Sequence, residues 1–167
     1  RGAALLVLFG HAATISFRAV PGHPQMLVPT APVARRAVLP DDPGVALTLA
    51  TDLLEGDRLM ANHHRGLWGY SGSGADGAGR LSIQSTGVGA GSAALVLAEL
   101  IDLGLATAIR VGTCRSETLN LDLGSMVAVG SSVSSAGERA LDPRLTEGLA
   151  ASAGTTVAGT RSVALDA

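Results

Sequence analysis

The chain has 167 residues, a formal net charge of −2 and 47% hydrophobic residues, enough apolar material for one domain with a sizeable core. Its 12 cationic residues are all arginine and are scattered, which argues against nucleic-acid binding. The single cysteine, Cys114, excludes an internal disulfide and has no partner at metal-ligand spacing. We therefore expect no metal site and a reducing, cytoplasmic setting.

Residues 1–22 are expected to form an arm outside the main domain. The apolar run 3-AALLVLFGHAATI-15 follows one positive charge. A membrane span needs about 20 apolar residues, and a secretory signal also needs a cleavage site. We expect a disordered or buried arm, or sequence foreign to the domain, and no membrane segment. The remainder, 23–167, is predicted to be one partial domain.

From residue 36 onward, strands are predicted to alternate with helices. Residues 37–39 form a short apolar strand, and Asp42 followed by Pro43 predicts the N-cap and first position of a helix that stops at Gly56. Helical spacing predicts its apolar face: Ala46, Leu49, Ala50, Leu53 and Leu54. Glycine and serine then favour a hairpin around 74–79, followed by a strand at 81–84.

The second half continues this alternation. Ser92 is predicted to cap a helix with this inward face: Ala94, Leu97, Ala98, Ile101 and Leu105. Strands are expected at 108–111 and 126–129, a helix from Asp142-Pro143 towards Gly154, and a last apolar segment at 156–164. The pattern is typical of an α/β fold, a mainly parallel twisted sheet flanked by helices. Ligands of such sheets bind at the carboxyl ends of strands.

Two turns occupy predicted strand ends. The first, 87-GVGAGS-92, could present backbone N–H groups to an anion or a ribose, although tight packing is the alternative in a chain with 22 glycines. The second, 110-RVGTC-114, offers a guanidinium and a hydroxyl that suit phosphate or carboxylate. The alternative is that Arg110 lies at an exposed edge or pairs with a nearby carboxylate. A dinucleotide fold would need an acidic residue at this strand tip, so the second turn argues against that fold.

Five segments follow one another in a recognisable order: 39-LPDDPGVA-46, 64-HRGLWGYSG-72, 84-QSTGVGAGSAALVLAEL-100, 109-IRVGTC-114 and 123-LGSMVAV-129. Together they resemble the nucleoside phosphorylase family, the hexameric purine nucleoside phosphorylases and uridine phosphorylases. In that family phosphate attacks C1′ of a nucleoside and releases the free base and ribose 1-phosphate. The resemblance implies a phosphorylase-like α/β/α sandwich, phosphate as co-substrate without a cofactor, and a homo-oligomer, at least a dimer and a hexamer by family.

The resemblance also implies roles for individual residues. Arg110 and Thr113 match phosphate ligands of the family, and Arg65 matches an arginine lent by the neighbouring subunit. Positions that match nucleoside contacts are Gln84, Gly87, Gly89, Cys114 and, from the neighbour, His23. Thr113 and the triplet 85-STG-87 lean towards the uridine phosphorylases, and base specificity is otherwise open.

Two positions of the first phosphate loop depart from the family pattern. Asp41 stands where the family has glycine, and Val45 where it has arginine. Loss of that arginine alone is expected to weaken phosphate binding by roughly ten- to a hundredfold, because a charge-assisted hydrogen bond contributes about 1.5–3 kcal/mol. Arg115 similarly replaces a glycine near the base.

The family's late segment, with its ribose-binding contacts and the acidic residue that assists the leaving base, has no counterpart before Ala167. The catalytic acid is therefore unknown. We expect either a fragment of a complete enzyme or the product of a degenerate gene, with impaired activity. The alternatives are a non-catalytic nucleoside-binding or oligomerising relic, a nucleosidase that uses water, and a dinucleotide-binding protein.

Overall fold

Strands alternate with helices along the chain in the computed structural model, which describes residues 2–9, 25–115, 125–134, 137–154 and 157–161. The helices are α1 (Pro43–Leu53), α2 (Ala90–Asp102) and α3 (Pro143–Ala153), with a short 3₁₀ turn at His64–Gly66. The strands are β1 (Gly2–Phe9), β2 (Arg36–Pro40), β3 (Leu59–Asn62), β4 (Gly69–Ser73), β5 (Arg80–Gln84), β6 (Thr107–Arg115), β7 (Met126–Ser134), β8 (Gly137–Ala140) and β9 (Val157–Arg161). The predicted α/β class is confirmed. The chain divides into two compact units, 12–108 and 1–11 with 109–167.

The unit 12–108 contains a mixed sheet with the strand order β3-β4-β5-β2. β2 and β5 are parallel, with Ala37 opposite Ser82 and Val38 opposite Ile83. β4 is antiparallel to both β3 and β5, so the predicted hairpin is the β4–β5 connection. Because β2 and β5 run in the same direction, the loops that follow them leave from the same edge of the sheet.

The start and buried face of α1 agree with the sequence prediction. Asp42 is the N-cap, its Oδ1 accepts from the Val45 N–H at 2.9 Å, and the helix begins at Pro43. Ala46 and Ala50 are fully buried and Leu54 is buried, as expected for residues spaced by four along one face. Leu53, which was predicted to lie on this face, is exposed because it is one position off that row.

The start of α2 differs from the prediction. Gly89, rather than Ser92, is the N-cap, and Ser92 lies in the first turn with its Oγ donating to the Thr86 carbonyl at 2.6 Å. The predicted inward residue Ala94 is exposed, whereas Val96 and Leu100 are buried. The inward face is therefore centred on a different row of the helix. Val96 and Leu100 belong to the hydrophobic core of the unit, which comprises Leu27, Ala37, Leu39, Leu67, Val96, Leu100, Leu105 and Ala108.

In the unit 1–11 with 109–167, β7 pairs with β1 and β9 in parallel and with β8 antiparallel. α3 has the predicted Asp142 cap, which accepts from the Arg144 and Leu145 N–H groups, and it ends at Gly154 in the left-handed region (φ 60°). β1 and β8 were not predicted. β8 lies in a charged stretch, and it pairs through its backbone, so side-chain hydropathy gives little signal.

No helix within the described ranges is long and apolar enough to span a membrane.

Candidate functional site

The candidate site lies at the carboxyl ends of the parallel strands β2 and β5. The Thr86 N–H donates to the Pro40 carbonyl at 2.8 Å, and Thr86 Oγ1 contacts the same oxygen at 3.3 Å. Thr86 is 1% exposed. The loop after β2 and the turn after β5 are therefore joined by buried hydrogen bonds, and this edge is where open α/β sheets bind ligands.

The turn 85–91 depends on glycine at two positions. Gly87 has φ 73° and Gly89 has φ 93°, a region that residues with a Cβ rarely adopt. A Cβ at Gly87 would also lie 2.7 Å from Ser92 Oγ, whereas a Cβ at Gly89 would meet nothing within 4 Å. Gly87 is thus required for conformation and for space, and Gly89 for conformation alone.

The N-terminus of α2 opens directly from this turn. No side chain in the described part of the chain caps it, and Gly89, Ala90 and Gly91 are exposed. The first N–H groups of a helix have no partner within the helix, and the helix dipole makes this end positive. Ser85, the first residue of the turn, has a buried Oγ without a hydrogen-bond partner among the described residues. This end of the helix can therefore accept an anion or a sugar hydroxyl.

The N-terminus of α1, after β2, is closed by comparison. The Val45 N–H already donates to the Asp42 carboxylate, and Asp41, the preceding residue in the chain, is half-buried. The Val45 side chain is 41% exposed, so an arginine would fit at that position without displacing the core. The reduced phosphate affinity expected from Asp41 and Val45 stays a prediction, and the carboxylate cap is consistent with it.

Gln84, at the end of β5, uses its side-chain amide internally. It is 4% exposed, and its Nε2 donates to the Leu67 carbonyl at 3.1 Å and to the Ser85 carbonyl at 2.9 Å. Its Oε1 lies against Gly69, where a Cβ would be 2.0 Å away. Gln84 therefore holds the strand end, and its contact with a ribose stays a prediction.

Asn62 is a buried residue of the same region that the sequence analysis missed. Its Nδ2 donates to the Leu67 carbonyl, and its Oδ1 accepts from the Val28 N–H at 2.8 Å. Asn62 and Gln84 thus hold the loop 63–68 from two strands. The available signal was a polar residue that ends an otherwise apolar edge strand.

Arg65 lies at the tip of that loop. It is exposed, has φ 55°, and donates from Nε to the Gln25 carbonyl at 2.8 Å. A non-glycine residue in the left-handed region costs of order 1–3 kcal/mol and usually signals a local constraint. Donation of Arg65 to a neighbouring subunit stays a prediction.

The second predicted turn lies on β6, in the part of the chain assigned to the other unit. Arg110 is half-buried, with a buried Nε that has no hydrogen-bond partner among the described residues, and Thr113 is exposed. Cys114 is part of β6, and His23 lies outside the described residues. Of the predicted site residues, Gln84, Gly87 and Gly89 lie together at the carboxyl end of β5.

No cluster of three or more His, Cys, Asp or Glu side chains suited to a metal ion occurs within the ranges that the structure describes.

These features define an α/β domain with an open glycine turn at the carboxyl ends of two parallel strands. A guanosine phosphorylase of Halorubrum lacusprofundi is 36% identical over 105 residues, 62% of this chain and 42% of the relative. Purine nucleoside phosphorylases of the DeoD type from Geobacillus kaustophilus and Clostridium novyi are 41% and 39% identical, over 51% and 54% of this chain and 35% and 37% of theirs. No protein-family model matches the chain.

The chain spans well under half the length of these curated relatives. Over the part that they share, the chain is similar in sequence to these nucleoside phosphorylases.

Proposed function

We propose that the chain forms part of a nucleoside phosphorylase that cleaves the N-glycosidic bond of a purine nucleoside with phosphate. The observation that carries this proposal is the uncapped N-terminus of α2 behind the turn 85–91, at the carboxyl ends of β2 and β5. Similarity to a guanosine phosphorylase and to purine nucleoside phosphorylases favours a purine over a pyrimidine. Thr113 matches the uridine phosphorylases, so a pyrimidine nucleoside is the alternative substrate.

Phosphorolysis needs an anion site beneath the sugar and backbone that approaches the sugar closely. Phosphate attacks C1′, the bond from C1′ to the base nitrogen breaks, and positive charge develops on the ribose ring in the transition state. We assign Arg110, Thr113 and the neighbour's Arg65 to phosphate, because guanidinium and hydroxyl donors suit its oxygens. The glycines of the turn lack side chains that would keep the ribose away from the backbone.

An oligomer follows from this assignment. Arg65 is exposed on a constrained loop, which supports its donation to a site on a second copy. At least a dimer is then required for a complete phosphate site. The cytoplasmic setting belongs to the same proposal and rests on the single cysteine.

Turnover by this chain is proposed to be weak. Asp41 places a carboxylate where the family has glycine in its phosphate loop, and Val45 supplies no cation. These same residues favour a second candidate function, hydrolysis of the nucleoside by water, because a water molecule is not repelled by carboxylates.

Base release with and without phosphate tests the proposal. Purified protein is incubated with guanosine, inosine or uridine, and the free base is measured by chromatography. Release that depends on phosphate supports the phosphorylase, and equal release without phosphate supports the hydrolase. Absence of base release both with and without phosphate contradicts catalysis and supports the non-catalytic relic. Arg110→Gln should lower phosphate-dependent release at least tenfold, whereas the matched exposed control Arg144→Gln should not change it.

A further inference from the structure

Glu99, on α2, holds a distant backbone segment with both oxygens of its carboxylate. Oε1 accepts from the Met26 N–H and Oε2 from the Leu27 N–H, each at 2.8 Å. Glu99 is half-buried, and Leu27 is 2% exposed. Hydrogen bonds to an ionised carboxylate are roughly twice as strong as neutral ones. The carboxylate therefore fixes the position of two consecutive peptide groups against the helix.

The same segment contacts Arg65 at its other end. The Gln25 carbonyl, next to the amide that Glu99 binds, accepts from Arg65 Nε at 2.8 Å. On the far side of Leu27, the Val28 N–H donates to Asn62 Oδ1 at 2.8 Å. A peptide plane held through its N–H also has its carbonyl direction fixed. Since the Gln25 carbonyl and the Met26 N–H belong to one peptide plane, Glu99 sets the direction of the oxygen that Arg65 uses.

Among the described residues, the Arg65 side chain has one hydrogen-bond partner. Its side chain is exposed, and the bond to Gln25 uses one of the five guanidinium N–H donors. The remaining donors are directed by this single bond, because a planar guanidinium fixed at Nε has few orientations left. Loss of the bond would let the side chain sample several rotamers, which a ligand must then immobilise at a cost.

We propose that Glu99 is a positioning residue that orients the Arg65 guanidinium through the peptide plane between Gln25 and Met26. The consequence for phosphate binding rests on the proposed function, in which Arg65 completes the anion site of a second copy. The orientation of Arg65 itself is independent of that function.

The first test follows the Arg65 Nε–H directly by ¹⁵N nuclear magnetic resonance, with the signal assigned through Arg65→Lys. Glu99→Gln keeps the size of the side chain but leaves one acceptor oxygen. We expect Arg65 Nε–H exchange with solvent to accelerate at least fivefold in Glu99→Gln. It should be unchanged in Asp102→Asn, which removes an exposed carboxylate from the same helix. Unchanged exchange in a folded Glu99→Gln protein would overturn the proposal.

A second variant covers the case in which Glu99→Gln does not fold. Glu99→Asp keeps the charge but shortens the side chain by one methylene, so it reaches the two amides less well. Faster Arg65 Nε–H exchange in this variant supports the positioning role. Exchange at the wild-type rate, with the Met26 and Leu27 amide signals shifted, overturns it.

The second test measures kinetics with phosphate and guanosine. Glu99→Gln should raise the phosphate KM about three- to tenfold while the guanosine KM and kcat stay within twofold, because only one phosphate ligand is loosened. A loss of kcat in proportion to lost folded protein would indicate a purely structural residue. If the wild type shows no phosphorolysis, the proposed function fails, and the exchange measurement still decides whether Glu99 orients Arg65.

Discussion

The loop 63–68 and the turn 85–91 belong to the same unit but use their polar groups in opposite ways. The loop is held by buried side-chain amides, since Asn62 and Gln84 both donate to the Leu67 carbonyl. At the turn, no side chain of the described residues caps the N–H groups at the start of α2. Side-chain amides thus build the frame, and backbone amides remain available for a ligand. Exposure alone does not separate these cases, because Arg65 is exposed and still bonded.

The strongest way to break the loop is to remove the Gln84 amide. Gln84→Met is similar in shape but leaves the Ser85 carbonyl buried without its donor and removes one of the donors to Leu67. We expect the free energy of unfolding to fall by about 2–4 kcal/mol, measured by urea denaturation. The matched control Gln25→Met alters an exposed side chain and should change it by less than about 0.5 kcal/mol. Equal effects would show that the Gln84 hydrogen bonds contribute little to the free energy of unfolding.

The turn is tested by adding one methyl group at each of three glycines. Gly87→Ala should lower the free energy of unfolding by about 2–3 kcal/mol, since it combines backbone strain with a contact to Ser92 Oγ. Gly89→Ala meets open space and should cost about 1–2 kcal/mol from strain alone. Gly91→Ala, inside α2, should stabilise by about 0.5 kcal/mol. A different rank order in thermal and urea unfolding would contradict the described turn.

The N-terminus of α1 can be made more favourable for an anion, like the N-terminus of α2. The double change Asp41→Gly with Val45→Arg removes a carboxylate and adds a cation, and we expect the phosphate KM to fall about ten- to a hundredfold. Leu47→Arg is the control, because Leu47 and Val45 are both 41% exposed and lie on the same helix. A similar gain from Leu47→Arg would show that general charge, rather than the loop position, is responsible.

The hairpin 74–79 supplies an exposed ion pair for comparison with the buried amides. Arg36 bonds to both oxygens of Asp76, and this pairing holds the pKa of Asp76 well below its ordinary value. A lowered pKa in the folded state adds stability that is present above the unfolded pKa, near 3.9, and is lost as the pH falls through the folded value. Asp76→Asn should therefore lower the melting temperature slightly at pH 7 and less as the pH falls below 3.9. An equal decrease at pH 7 and pH 2.5 would contradict the pairing.

Local sequence signals predicted the helix starts at Asp42 and Asp142 and the hairpin at 74–79, because caps, prolines and glycines act over a few residues. The predicted N-cap of α2 was wrong because a glycine cap gives no side-chain signal, and the nearby Ser92 was the better candidate by residue type. β3 was not predicted because Leu59 and Met60 are both apolar and both exposed. The strand therefore lacks the alternation of apolar and polar residues that marks a half-buried strand.

The candidate site was predictable in part for the same reason. The glycine turn is contiguous in sequence, whereas the roles of Asn62 and Glu99 depend on partners 34 and 73 residues away. No local pattern encodes such partners. Gln84 was singled out through the family resemblance, and the structure shows that its amide is committed to backbone carbonyls.

Amide chemical shifts during a titration with guanosine and phosphate test the central contrast most directly. The account predicts that the backbone amides of 87–92 move on ligand addition, while the side-chain NH₂ signals of Asn62 stay in place. Movement of the Asn62 signals with an unperturbed 87–92 segment would contradict it.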